Sequence, residues 1–161
     1  MQESRHPAPQ IAVIGAGRAE PGLLSRAEEV GRLLAGAGCT VVCGGLGGVM
    51  EAVARGAREA GGATVGIVPG ESRRDANEWI AYAVATGMGH ARNLAVVASG
   101  DAVIAVGGEW GTLAEIGLAR KLGRPVVVLE PGWQLDGEGI VRAATPEEAV
   151  ATALALAEQG S

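Results

Sequence analysis

The 161 residues carry a formal net charge of −5 and are 48% hydrophobic, yet they include no Phe and a single Tyr. A chain of this length can bury a real core, but here the core has to be built from Ala, Val, Leu and Ile, which suits helices packed closely on a parallel sheet. The Arg73-Arg74 pair is the only basic cluster, which leaves no electrostatic footprint for nucleic acid, and the polar start Met1–Gln10 and strand-sized apolar runs predict neither a signal peptide nor a membrane span, hence a cytoplasmic protein.

In chain order, Ile11 to Ile14 is the first predicted strand and runs into the loop Gly15-Ala-Gly-Arg-Ala-Glu-Pro-Gly22. Leu23, Leu24, Ala27, Val30, Leu33 and Leu34 recur at helical spacing, and Gly36 and Gly38 end that helix. Thr40 to Cys43 is the second strand, followed by Gly44-Gly-Leu-Gly-Gly48 and a helix from about Val49 to Ala60; Thr64 to Val68 is the third strand, closed by Pro69-Gly70. This βαβαβ order implies a parallel sheet with right-handed crossovers. From Glu71 to Thr86 the pattern weakens into a polar loop, within which Trp79 to Val84 reads either as a short strand or as an irregular segment; a loop of this length is usually functional.

Gly87 to Ser99 is predicted as one helix. Asp101 to Val106 is the fourth strand, with the pattern of a strand buried on both faces. It leads into the corner Gly107-Gly-Glu-Trp-Gly-Thr-Leu-Ala-Glu115 and a helix carrying Leu113, Ile116, Leu118 and Leu122. Pro125 to Leu129 is the fifth strand, Pro131-Gly132-Trp133 a turn, and Gly139 to Ala143 a sixth, edge strand; Thr145, Pro146 and Glu147-Glu148 then start the last helix. No internal repeat or linker interrupts the chain. The predicted architecture is therefore one Rossmann-like α/β domain over 1–161, a doubly wound parallel sheet with helices on both faces and a flexible stretch at 1–9.

Cys39 and Cys43 lie four residues apart on one predicted strand, roughly 13 Å at about 3.3 Å per residue. That separation is too long for a disulfide, so both are read as buried thiols. With His6 and His90 the only histidines and neither close to a cysteine, no metal site is expected.

In a doubly wound sheet a ligand sits outside the carboxyl ends of the strands where the order reverses. If the reversal separates the first and fourth strands, the loops at Gly15, Gly17 and Gly22 and at Gly107, Gly108, Gly111 and Thr112 face each other, with Gly44, Gly45 and Gly47 beside them. Glycine-rich strand ends and a helix start offer backbone N–H donors and a positive dipole end, a setting for a phosphate. A competing reading needs no ligand: Thr112 and Glu115 have the spacing of a capping box. The sequence argues against two familiar nucleotide folds. Glu20 stands where a dinucleotide fold needs its third glycine, the second strand ends without an acidic residue for a ribose, and no Gly-Lys-Ser/Thr occurs.

The run Gly89-His90-Ala91-Arg92, then Asp101, then Gly108-x-x-Gly111-Thr112-x-x-Glu115 resembles the signature of the LOG-like proteins, and Gly44-Gly-Leu-Gly-Gly-Val-Met-Glu51 is similar to their other glycine loop. The resemblance spans about Ile11 to Leu129. That family includes cytokinin-activating nucleoside 5'-monophosphate phosphoribohydrolases, proteins long labelled lysine decarboxylases, and molybdenum cofactor carriers that bind without catalysis. By resemblance Arg92 and Glu115 would be the catalytic pair of a hydrolase, and Gly107, Gly108, Gly111 and Thr112 would hold a phosphate. Gly15, Gly17, Gly44, Gly45, Gly47, Met50 and Trp110 would lie along the nucleotide, although packing competes as a role for Met50 and Trp110. Gly107-Gly108-Glu109 stands where the enzymes have Pro-Gly-Gly, and Ala91 where they have Glu, so the chain looks closer to the carrier branch. The expected ligand is a phosphorylated nucleotide-like molecule, including the molybdenum cofactor; the alternative is N-glycosidic hydrolysis of an AMP-like substrate. No cofactor is required, and the family implies a homo-oligomer. Pyridoxal-dependent lysine decarboxylation is not expected, because Lys121, the only lysine, falls at the far end of its helix from the corner.

Overall fold

The computed structural model describes residues 7–130 and 134–160, so the turn expected at Pro131-Gly132-Trp133 lies outside the described residues. Seven strands form one all-parallel sheet: β1 (Gln10–Gly15), β2 (Thr40–Cys43), β3 (Thr64–Val68), β4 (Tyr82–Ala85), β5 (Ala102–Val106), β6 (Val126–Leu129) and β7 (Ile140–Ala143). Their spatial order is β4-β3-β2-β1-β5-β6-β7. The expected winding holds: the chain builds outward from β1 to β4, returns to the other side of β1, and builds outward again. β1 and β5 pair across the reversal from Ile11 against Ala102 to Gly15 against Val106, which brings the first and fourth predicted strand ends side by side.

Helices α1 (Pro21–Gly36), α2 (Val49–Glu59) and α5 (Pro146–Gln159) cover one face, and α3 (Arg92–Ala98) and α4 (Trp110–Lys121) the other. Because side chains alternate along a strand, β1 supplies both cores: Ile11 and Val13 pack under α1, α2 and α5, while Ala12 and Ile14 pack under α3 and α4. The largest fully buried side chains are Ile, Leu and Val, as a chain without Phe requires. Small residues let the layers close. A Cβ on Gly31 would run into the Val53 carbonyl, and one on Gly56 into the Glu28 carbonyl, so α1 and α2 touch backbone to backbone there. Cys39 and Cys43 are free and buried, and burial pushes the Cys43 thiol up to about 11.

Two stretches differ from the sequence pattern. Trp79 to Val84 resolves into an edge strand, shifted to Tyr82–Ala85 and paired parallel with β3. The helix expected from Gly87 to Ser99 is shorter: Gly87 and Gly89 take positive φ of 63° and 57°, which ends helical continuity. A 3-10 turn at Gly89–Ala91 leads into α3, which begins only at Arg92.

Candidate functional site

The α4 corner is set by backbone geometry. Gly107 and Gly108 have φ of 59° and 149°, a path that side chains other than hydrogen rarely follow, and Gly107 N–H donates to the Leu129 carbonyl at 2.8 Å. α4 then starts at Trp110 with Glu109 as its N-cap, in extended conformation and with no side-chain cap. Thr112 is therefore the third helical residue and Glu115 the sixth, so the capping box that their spacing suggests does not form. The Gly111 and Thr112 amides have no intrahelical acceptor, and both residues line a cleft of about 190 Å³ between this corner and the end of β1.

Opposite them stands Arg92, the first residue of α3 and only 8% exposed. Its guanidinium donates to Asn93 Oδ1 and, at 3.5 Å, to the Gly44 carbonyl, while Nε is buried without an acceptor. Arg92 forms no ion pair with Glu115 or Asp101; Asp101 instead accepts from Gln10 N at 2.9 Å. Burial lowers the guanidinium's pKa from its ordinary value, with Glu115 and Cys43 opposing. Glu115 is half-buried in the same cleft, and burial pushes it up to about 7 despite the pull of Arg92. A site in the second turn gives it little of the helix dipole, so burial outweighs the helix start.

The ends of the Met50 and Arg92 side chains both lie against Gly44. A Cβ there would lie 2.6 Å from Met50 Sδ and 2.8 Å from Arg92 Nη2. The cleft thus brings together Gly15, Gly17, Gly44, Met50, Arg92, Gly111, Thr112 and Glu115 from the sequence candidates. The remaining candidates lie elsewhere. Gly108 borders a second lobe, Gly107 is engaged with β6, and the Gly45 carbonyl accepts from Asn77. Gly47 rests against the Gly17 carbonyl at a distance that would be 3.4 Å from an added Cβ. Trp110 is 84% exposed and does not line the cleft.

Three further polar residues belong to this region. His90 and Asn93 line the cleft beside Arg92; His90 stood inside the quoted motif, and Asn93 one step beyond it. Asn77, from the polar loop, pins the β2 glycine loop by donating from its backbone N to Gly45 O (2.9 Å) and from Nδ2 to Leu46 O (2.8 Å). No pattern marks it, since the contact joins residues more than thirty positions apart.

In this chain the doubly wound parallel sheet, with Arg92 at the start of one helix and the glycine-rich start of another on the same cleft, is that of a LOG-like protein. Within that class, the profile of the SLOG cluster4 family matches residues 8–158, and the chain belongs to this family. An uncharacterized protein of Archaeoglobus fulgidus is 46% identical over 142 residues, which are 88% of this chain and 91% of that one. The cytokinin riboside 5'-monophosphate phosphoribohydrolase of Mycobacterium tuberculosis is 36% identical over 129 residues, 71% of this chain and 66% of the enzyme. Among solved structures, the molybdenum cofactor carrier protein of Chlamydomonas reinhardtii superposes with a TM-score of 0.85 at 34% identity, covering 92% of this chain and 98% of the carrier.

Proposed function

We propose that the protein binds a phosphorylated, nucleotide-like small molecule in the cleft and holds it without turnover, as a carrier or sensor of molybdenum-cofactor type. The observation that carries this reading is Arg92: a residue 8% exposed, with a buried Nε that has no acceptor among the described residues, on a cleft also lined by Gly111 and Thr112 at the start of α4. Burying a guanidinium without a counter-ion is costly, and a phosphate in the cleft would supply one, accepting from the cleft-facing side of the guanidinium and from the helix start together. A molybdenum cofactor fits as cargo at its phosphate end. Resemblance to the algal carrier along nearly the whole of both chains supports binding over chemistry.

The second reading is hydrolysis of a nucleoside 5'-monophosphate, favoured by Arg92 and Glu115 sharing one cleft and by the mycobacterial relative. There Glu115 would stabilise positive charge at the sugar C1', a role that a carboxyl with a pKa of about 7 fills only in part at neutral pH. Mass spectrometry of the purified protein should find a phosphorylated ligand, and assays with AMP and GMP should release no free base. Steady base release that disappears in Glu115→Gln would establish the hydrolase instead.

Self-association belongs to the same proposal. Tyr82, Val84, Met88 and Leu94 are exposed apolar side chains on β4, the following turn and α3, and covering them with a second copy would remove that area from water. Sedimentation velocity should give an oligomer that Leu94→Glu dissociates. A wild-type monomer at tens of micromolar would refute it.

A further inference from the structure

The cleft beside Arg92 is one lobe of a longer crevice. At about 190 Å³ it falls below the roughly 300 Å³ at which small-molecule sites begin, enough for a phosphate and little more. A second lobe of about 420 Å³ adjoins it, lined by Ala16, Arg18, Ala19, Glu20, Leu23, Gly108 and Glu109. Ala16 and Glu109 border both lobes. A ligand anchored by its phosphate in the inner lobe therefore passes Glu109 to reach the outer one.

The two lobes differ in chemistry, with Glu109 on the rim they share. The inner one gathers donors, Arg92, Asn93 and the start of α4, beside the half-buried carboxyl of Glu115. Glu109, in contrast, neither caps its own helix nor joins any ion pair among the described residues, and Glu20, the N-cap of α1, likewise makes no side-chain cap. Two carboxylates against the single guanidinium of Arg18 disfavour a second anion in the outer lobe and favour a neutral group rich in N–H donors. Ala16, Ala19 and Leu23 supply an apolar surface for a flat ring, and Gly108 adds no side chain over it.

We propose that Glu109 selects the ligand's ring by accepting two adjacent N–H groups of a 2-amino-4-oxopyrimidine edge, the edge that guanine and pterins share. This rests on the phosphate-site reading above. A carboxylate has two acceptor oxygens and no donor, so it matches the paired donors of that edge, the 2-amino group and the ring N–H beside it (N1–H in guanine, N3–H in a pterin). Adenine sets one amino donor beside a ring-nitrogen lone pair, which a carboxylate opposes and a carboxamide would complement.

Calorimetric titration with GMP, a pterin phosphomonoester, AMP and ribose 5-phosphate tests this in wild type and Glu109→Gln. Wild type should bind GMP or the pterin ester at least about tenfold more tightly than AMP, and the tighter of the two names the source of the edge. Glu109→Gln should lose that preference and gain affinity for AMP, with ribose 5-phosphate bound no less well than before. A general structural role for Glu109 would not shift affinity from one base to another. Equal binding of GMP, the pterin ester and AMP by wild type, or a preference that survives in Glu109→Gln, overturns the selection by Glu109 and leaves the phosphate site standing. Failure of all four compounds, ribose 5-phosphate included, overturns both.

Discussion

Arg92→Ala should weaken binding of a phosphomonoester on the order of a hundredfold, about 2.7 kcal/mol, within the range for hydrogen bonds to charged groups. The ligand-free fold should lose little and could gain. The guanidinium sits where burial disfavours its charge, its Nε has no partner, and its hydrogen bonds go to a side chain one residue away and, at 3.5 Å, to the Gly44 carbonyl. A buried cation kept at that cost without a protein counter-ion is more useful to a ligand than to the fold. Thermal denaturation should therefore show an unchanged or raised midpoint in the variant and the loss of the stabilisation that phosphate esters give wild type. Arg92→Lys should fall between, since an ammonium keeps the charge but not the planar fork. Retention of wild-type affinity in Arg92→Ala, or a collapse of the ligand-free fold, would make Arg92 a structural residue and remove the main support for the site.

Much of this arrangement is legible in the chain because it depends on local pattern. Short β-branched runs such as Val103 to Val106 mark strands buried on both faces, the segments between them have helical spacing, and parallel connections admit few windings. The neighbouring of Gly15 and Val106 follows from that topology alone. What the pattern misread involved tertiary context. Thr112 and Glu115 have capping-box spacing, but the helix begins at Trp110, where the left-handed Gly107 and Gly108 release it, and both residues are thereby carried inside the helix. The glycines at 87 and 89 lie within an otherwise plausible helix, and only their positive φ shortens it. Burial of Glu115 depends on the opposite wall of the cleft, which no spacing encodes. Neither does the hold that Asn77 has on the β2 loop.

Glu115 should give the protein a pH dependence with a definite sign. Burial raises its carboxyl from 4.5 to about 7, so between those values the folded chain keeps a proton that the unfolded chain has released. Stability must then fall as pH rises through that window and level off above it, by no more than about 3 to 4 kcal/mol at roughly 1.4 kcal/mol for each pH unit. Glu115→Gln, which resembles the protonated form in shape and charge, should be the more stable protein above pH 7 and should match wild type near pH 4.5. Binding follows the same logic. A phosphate brought beside Arg92 adds negative charge near Glu115 and competes for the one guanidinium, which favours the protonated carboxyl further. Wild type should take up a proton on binding at pH 7 to 8 and bind more tightly as the pH falls toward 6. The ester's own second ionisation lies near pH 6, so the comparison with Glu115→Gln is what isolates the side chain: its affinity should vary less with pH and stay near the wild-type value of the acidic end. Calorimetry in buffers of different ionisation enthalpy counts the protons directly. Superimposable profiles for wild type and Glu115→Gln, in stability and in affinity, would show that the carboxyl is already ionised in the folded protein, and would restore it as a fixed negative charge of the kind a glycosidic hydrolase uses.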